Sequence, residues 1–284
     1  MTMGTLGRLA AGLGFSLLAS CSVVAAQGAS PADPWSQVPA LPTTYYRDFD
    51  FETRINTAEQ RNNAELTRQG DVNTSIKARF DTMDQGEKMQ RMQEFMMKNP
   101  QQAMQVMQAM QAGAGAVTAP VTASQGDLER LERELATLTA DFQAAVKRVR
   151  DPVQRSIDEL VKAKGKACGE GDCVSLPAAD VPRYKALYGQ LNTDYENICG
   201  AWWGPSGSFP KWLGNYKQYL LNDVVAPAVK ADSLVLQQMA MMGVPGTGFR
   251  STAPLSAVST YLAKLNQVYA LRPHRIETPT PQAR

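Results

Sequence analysis

The stretch DLERLERELATLTADFQAAVKRV, residues 127–149, carries the pattern that decides the fold class. Its apolar residues recur alternately three and four positions apart, with charged residues between them: Leu128, Leu131, Leu135, Leu138, Phe142, Ala145 and Val149. This spacing is typical of a helix with a coiled-coil seam, a narrow apolar face that packs against another helix. The sequence must therefore supply a second helix that covers this face.

The chain before residue 127 offers a partner of matching length. Residues 112–126, AGAGAVTAPVTASQG, are mostly small and include one proline, which indicates a flexible turn. The arms on either side, residues 74–111 and 127–164, would each form a helix of about 57 Å. We therefore predict that residues 50–165 form a long antiparallel, coiled-coil-like helical hairpin with residues 112–126 at its apex.

Two local patterns refine this hairpin. Asp151 followed by Pro152 predicts the end of one helix and the start of another, because Asp caps helices and Pro fits a first helical turn. Residues 59–69, EQRNNAELTRQ, are polar almost all round. We expect a helix of that composition to be mostly solvated, so that this part of the protein is thin.

The first arm is unusual in its methionines, seven of which lie in residues 88–111, KMQRMQEFMMKNPQQAMQVMQAMQ. Six of them recur at helical spacing on either side of the helix restart predicted at Asn99-Pro100: Met89, Met92, Met96, Met104, Met107 and Met110. These six are the candidate partner-binding residues, because methionine is flexible and polarizable and adapts to varied partners. The favoured interpretation is hairpin core opposite the leucines. A copper(I) or silver(I) site at Met104, Met107 and Met110 is the third possibility, because thioethers are soft ligands.

The C-terminal half has a different sequence pattern, in which several shorter amphipathic helices follow one another. It predicts a smaller helical bundle over residues 166–272. Few stretches alternate with a period of two, so the whole fold should be nearly all α. Residues 201–212, AWWGPSGSFPKW, hold three of the four tryptophans. Trp202 and Trp212 lie on apolar helix faces and are expected in the core, whereas Trp203 lies off that face and is a further candidate for partner binding. Residues 273–284 predict a disordered tail.

The N-terminus predicts export. Arg8 precedes a short apolar run, residues 9–20, and residues 24–26, VAA, offer a signal-peptidase site. Residues 18–21, LASC, also resemble a bacterial lipobox, in which Cys21 would be lipidated, and both forms of processing stay open. We predict a signal peptide over residues 1–26 and an extended tether over residues 27–49, with a periplasmic or outer-membrane-associated location. Membrane contact is expected only through a lipid anchor.

An exported protein reaches an oxidising compartment, so its cysteines can pair. Cys168 and Cys173 flank a glycine-rich loop and are the preferred disulfide. Cys199 is then expected to be free or to pair with another molecule.

The composition argues against most catalytic classes. The chain has one histidine, His274, placed in the predicted tail, whereas histidine-dependent catalysis and zinc sites need a packed imidazole. Ser208 and Lys211 match the Ser-x-x-Lys pattern of penicillin-binding enzymes, but the companion motifs of those enzymes are missing. A net charge of +2 gives no reason to expect nucleic acid. We therefore predict a non-enzymatic binding, scaffold or chaperone-like protein without a cofactor, with soft-metal binding as the alternative and a hydrolase at Ser208 as the least favoured.

Overall fold

A computed structural model describes residues 33–101, 103–104, 120–168, 173–244, 246–278 and 281–283. These residues form an all-α fold, as the sequence predicts. The helices are α1 (Phe49–Asp81), α2 (Gln85–Lys98), α3 (Pro120–Lys164), α4 (Val181–Trp203), α5 (Ser208–Tyr219), α6 (Ala226–Met241) and α7 (Ala253–Tyr269), with a 3-10 turn at Pro34–Gln37 and a π-helical stretch at Leu220–Val225. The strands are very short: β1 (Lys166–Ala167), β2 (Val174–Leu176) and β3 (Gln282–Ala283). No helix in the described part is long and apolar enough to cross a bilayer.

The predicted hairpin is not confirmed, because the seam of α3 is covered from the C-terminal half of the chain. Leu131, Leu135 and Phe142 lie in one buried cluster with Phe209 and Trp212 of α5. The indole Nε1 of Trp212 donates a hydrogen bond of 2.8 Å to the carbonyl oxygen of Leu131. The main neighbours of α3 are α4 and α5, whereas the neighbour of α2 is α6. The described residues thus form a helical assembly in which the C-terminal half supplies the partner of residues 127–149.

The first predicted arm is also divided. α1 ends at Asp81, and α2 begins at Gln85 after its own N-cap, Asp84, whose carboxylate accepts a hydrogen bond of 3.1 Å from the backbone N–H of Glu87. At the predicted apex, residues 120–126 are helical and belong to α3, and residues 112–119 lie outside the described residues. The first arm of the predicted hairpin is therefore divided between α1 and α2, and part of the predicted apex belongs to α3.

Two prolines lie within continuous helical paths. Pro152 lies inside α3, which continues through it to Lys164, so the predicted restart at Asp151 is wrong. The buried side chains of Val153 and Ile157 hold the helix in place on both turns beyond the proline. Pro227 follows the π-helical stretch Leu220–Val225 and does not end the helical path, since a wider turn relieves the clash that a proline ring makes with the carbonyl four residues before it.

Helix α1 packs along α7 through two amide side chains, whereas the other residues of the stretch 59–69 are exposed or partly exposed, as the sequence predicts for most of it. Asn62 is fully buried, and its Nδ2 donates to the carbonyl oxygen of Leu255 at 2.6 Å and to Ser259 Oγ at 2.8 Å. Gln69 Nε2 donates to the carbonyl oxygen of Gly248 at 2.8 Å. Each amide donates to backbone or hydroxyl groups of the facing segment, so these two polar side chains are buried with hydrogen-bond partners while the rest of the stretch stays largely solvated.

The ends of the described chain are packed as well. Residues 33–48, predicted as part of a tether, place Tyr46 in the core and Trp35 at a ring-centroid distance of 5.5 Å from Tyr261. The predicted disordered tail is fixed by Ile276, whose backbone N–H donates to Asn192 Oδ1 at 3.1 Å. Strand β3 pairs with β2 in parallel, and β2 pairs with β1 in antiparallel orientation. The described residues of both segments are therefore packed against the rest of the fold and do not form a tether and a tail.

The disulfide prediction is confirmed. Cys168 is bonded to Cys173, and the bridge closes the connection between β1 and β2. Cys199 is a free thiol buried in the largest core cluster. Its burial raises the pKa of the thiol to about 11, which keeps it protonated at neutral pH.

Candidate partner-binding surface

Helix α2 carries the candidate surface, and its sequence explains why it is helical. Asp84 caps its N-terminus, Glu87 lies in its first turn and Lys98 in its last, so the end charges match the helix dipole. Arg91 and Glu87 form an ion pair of 2.9 Å across one turn. Asn99 ends α2, and helical backbone resumes at Pro100, with the N–H of Ala103 donating to the carbonyl oxygen of Asn99 at 2.9 Å.

Four methionines of this segment are solvent exposed. The exposed fractions are 59% for Met89, 38% for Met96, 77% for Met97 and 61% for Met104. We call these four residues the methionine surface. Their interpretation as hairpin core is wrong for Met89, Met96 and Met104, because no described helix covers them.

The remaining methionine candidates are less exposed or lie elsewhere. Met92 is half-buried at the edge of the methionine surface. Met107 and Met110 lie outside the described residues. Met97 is the most exposed of the group, although its sequence position lies off the face shared by Met89, Met92 and Met96. An apolar residue on the otherwise polar face of an amphipathic helix is the signal that could have identified it.

Helix α2 rests on the protein through polar side chains more than through apolar ones. None of its residues, all of which are described, is fully buried. Lys88 Nζ lies 4.8 Å from the ring centroid of Phe80, and the Arg91 guanidinium lies against the backbone of Gly243. Gly243 has a φ of +68°, and a Cβ at this position would collide with Arg91, so the loop after α6 requires glycine here. These contacts orient α2 and leave its methionines facing solvent.

The surroundings of the methionine surface differ on its two sides. Helix α2 carries exposed charges of both signs beside its methionines, among them Arg91 and Glu94, together with the neutral Gln90 and Gln93, whereas residues 99–126 contain no charged residue. Charges of mixed sign produce no strong net field that would select a charged partner. Most of the affinity should therefore come from apolar burial.

Trp203 is not part of any exposed surface, which corrects its selection from sequence. Only 5% of the residue is exposed, and its indole stacks on Phe209 at a centroid distance of 4.5 Å. The guanidinium carbon of Arg272 lies 4.4 Å from the centre of the same indole. The chain turns back immediately after α4, so α5 covers Trp203. Trp212 is buried as predicted, and Trp202 is half-buried against Phe142.

Arg272 is a buried cation that the sequence did not identify. Its Nη1 donates to the carbonyl oxygen of Thr44, and its guanidinium also lies 4.8 Å from the ring centroid of Tyr269. Burial lowers the pKa of this guanidinium, an effect opposed by the neighbouring Tyr269. Arg272 thus contacts Thr44 before α1, Trp203 at the end of α4 and Tyr269 at the end of α7. We therefore regard it as a structural group.

The least favoured catalytic candidate shows little preorganisation. Ser208 is the first residue of α5, and it lines, with Lys211, Arg130 and Arg133, an open groove of about 540 Å³. Within the described residues, no hydrogen bond joins the Ser208 hydroxyl to the Lys211 ammonium. His274 is exposed and stacks on Phe49 at 5.3 Å. A serine without a base in hydrogen-bond reach is a weak nucleophile.

Comparison of the chain with known protein families, with curated proteins and with solved structures finds no match.

Proposed function

We propose that this is an exported protein of the bacterial envelope that binds other proteins through its methionine surface, as a scaffold or chaperone-like factor. The observation that carries the proposal is the exposure of Met89, Met96, Met97 and Met104, between 38% and 77% each. Clustered exposed apolar side chains on a soluble protein often mark an interaction site. Full burial of each side chain on a partner would contribute about 1.5–3 kcal/mol.

The residue type supports varied partners over a single one. Methionine has an unbranched side chain with several rotatable bonds, so a group of methionines can adapt to apolar surfaces of different shape. Helix α2 contributes no fully buried residue, so its outer face is free to vary without damage to the core. Both features suit binding to unfolded or weakly structured polypeptides.

The first experiment removes the apolar character of the surface. We expect the triple substitution Met89→Gln, Met96→Gln and Met97→Gln to weaken binding of a fluorescently labelled, reduced and unfolded polypeptide by at least about tenfold, since the loss of even 1.4 kcal/mol has that effect. Fluorescence anisotropy measures the affinity, and light scattering reports the suppression of aggregation. Equal affinity of the triple variant and the wild type would refute the proposal.

A matched control is available elsewhere on the surface. Val224 and Val229 are each 37% exposed and lie near the start of α6. Helix α2 contacts the protein at the opposite end of α6, where Arg91 lies against Gly243. Val224→Gln with Val229→Gln removes exposed apolar area without touching α2, and the affinity should stay unchanged. An equal loss in the control would mean that binding follows general hydrophobicity.

The alternative is a soft-metal site at Met104, Met107 and Met110, and the 61% exposure of Met104 favours testing it. Leucine is close to methionine in size and apolarity but has no sulfur. The variant Met104→Leu, Met107→Leu and Met110→Leu should abolish copper(I) binding if these thioethers hold the metal, whereas polypeptide binding should only weaken or narrow, because leucine adapts its shape less readily. An anaerobic copper(I) competition titration on the wild type and this variant decides between the two functions.

Export is a separate part of the proposal and has its own test. Mass spectrometry of the mature N-terminus from an envelope fraction should find a start at Gln27 or a lipidated Cys21. An intact Met1 in that fraction would contradict both forms of processing.

A further inference from the structure

A second surface, distant in sequence from the methionine surface, has the chemistry of an anion site. A groove of about 510 Å³ lies between the 3-10 turn Pro34–Gln37 and the first half of α1. Its polar lining consists of Ser36, Gln37, Thr53, Arg54, Thr57 and Arg61. Among the described residues, the lining contains two cations and no carboxylate, so the groove carries a positive charge that these lining residues do not neutralise.

The two arginines are free to bind a ligand. Arg54 and Arg61 are exposed, and neither forms an ion pair or hydrogen bond with any described residue. The guanidinium of Arg54 lies 5.2 Å from the ring centroid of Phe51, which restricts where it can point. By contrast, Arg130 in the groove beside Ser208 is held by Asp127 at 3.2 Å and by Glu134 at 2.9 Å. Positive charge is therefore available beside the 3-10 turn.

The other polar groups of the lining are already engaged or buried. The Oε1 of Gln37 is buried without a hydrogen-bond partner among the described residues, so a ligand in the groove does not reach this atom. The hydroxyls of Ser36, Thr53 and Thr57 already donate to the backbone carbonyl oxygens of Asp33, Phe49 and Thr53. The accessible donors of the groove are thus the two arginines.

We propose that this groove binds a phosphoryl-bearing ligand, with Arg54 and Arg61 as the charged contacts. The two arginines are seven residues apart and lie on the same face of α1, separated by about 10 Å along the helix axis. Long guanidinium side chains from both positions can converge on phosphate oxygens, which they match as planar donors. The ligand is a free phosphorylated compound or the headgroup of an anionic lipid. This site does not depend on the methionine surface.

The test uses the mature protein and two probes of the same chemistry. Inorganic pyrophosphate is titrated by calorimetry, and vesicles of phosphatidylglycerol are compared with neutral phosphatidylcholine vesicles by co-sedimentation, both at low ionic strength. Arg54→Gln with Arg61→Gln should weaken binding of the responding probe by at least about tenfold. Arg79→Gln with Arg148→Gln removes the same charge from exposed positions outside the groove and should change it less than about twofold.

Each outcome decides the question. Binding of pyrophosphate and of anionic vesicles, both lost in the groove variant alone, supports recognition of the phosphoryl group itself. Binding of vesicles alone, with the same loss, supports the lipid headgroup as its source. The proposal is overturned if the wild type binds neither probe, or if the two double variants weaken binding equally. Thermal unfolding of both variants should match the wild type because all four arginines are exposed.

Discussion

The contact between α3 and α5 can be tested through one aromatic pair. Phe142 of α3 and Phe209 of α5 are both buried, and their ring centroids lie 5.5 Å apart in an edge-to-face arrangement. The perturbation is Phe→Leu at each position and at both together. Leucine keeps the sites apolar and removes the aromatic contact, so the fold should survive each change.

The expected magnitudes follow from the geometry. Each single substitution should lower the free energy of unfolding by about 1–3 kcal/mol, because it leaves a small void in a fully buried site. An edge-to-face aromatic pair contributes about 0.5–1.5 kcal/mol beyond the burial of its area. The double variant should therefore lose less stability than the sum of the single losses, by about that coupling energy. Trp202 contacts both rings and will contribute to the coupling.

Urea unfolding followed by circular dichroism at 222 nm measures these free energies, since tryptophan fluorescence would respond directly to changes beside Trp202. A second cycle combines Phe142→Leu with Met92→Ala on α2, and its effects should add within about 0.3–0.5 kcal/mol. The reasoning is refuted if Phe142 couples to Met92 and not to Phe209. That result would restore the antiparallel hairpin.

Three further predictions concern buried groups. Cys199 should not react with a thiol reagent in the native protein and should react fully once guanidinium unfolds it; rapid modification of the native protein would contradict its burial. Burial raises the pKa of Cys199 to about 11 and the pKa values of Tyr46 and Tyr216 to about 12, above the values of 9.0 and 10.0 expected when unfolded. As the pH rises, the unfolded chain therefore releases these protons before the folded protein does. The urea midpoint should be insensitive to these groups below about pH 9 and should fall between about pH 9 and 12. A midpoint that stays constant over that range would contradict the raised pKa values. Replacement of Cys168 and Cys173 by serine should lower the free energy of unfolding by about 2 kcal/mol, from the closure entropy of a short loop, and an unchanged urea midpoint would mean that the β1–β2 connection does not depend on the bridge.

Periodicity was sufficient for the fold class and insufficient for the packing partners. The spacing of Leu131, Leu135 and Phe142 requires that one face of α3 be covered, but it carries no information on which helix covers it. The matched lengths of the two arms suggested the methionine segment. In the structure Trp212 and Phe209 occupy that place, because large aromatic side chains bury more apolar area than a methionine stripe.

Other errors come from residues whose environment depends on distant parts of the chain. Residues 59–69 are largely solvated, as predicted, but the burial of Asn62 and Gln69 among them was missed, because the carbonyl groups that they satisfy at Leu255 and Gly248 lie nearly two hundred residues away in sequence. Trp203 lies off the apolar face of α4 in the sequence pattern, and it is buried because α5, which follows in the chain, covers it. The disulfide was predictable because five residues of separation make its geometry a local property. The methionines were recognised as unusual from composition, and only the structure showed their exposure.

The π-helical stretch Leu220–Val225 makes this part of the chain sensitive to length. Leu220 at its start belongs to the largest core cluster, and Met239 beyond it belongs to the cluster around Ile76 and Phe249. The wider π-helical turn determines the rotation about the helix axis that separates Leu220 from Met239, so that both side chains point into their clusters. Deletion of a single residue there would turn everything downstream by about 100° and carry Met239 out of its cluster. During evolution this segment can accept many substitutions, whereas insertions and deletions within it would be eliminated unless a second length change restored the phase.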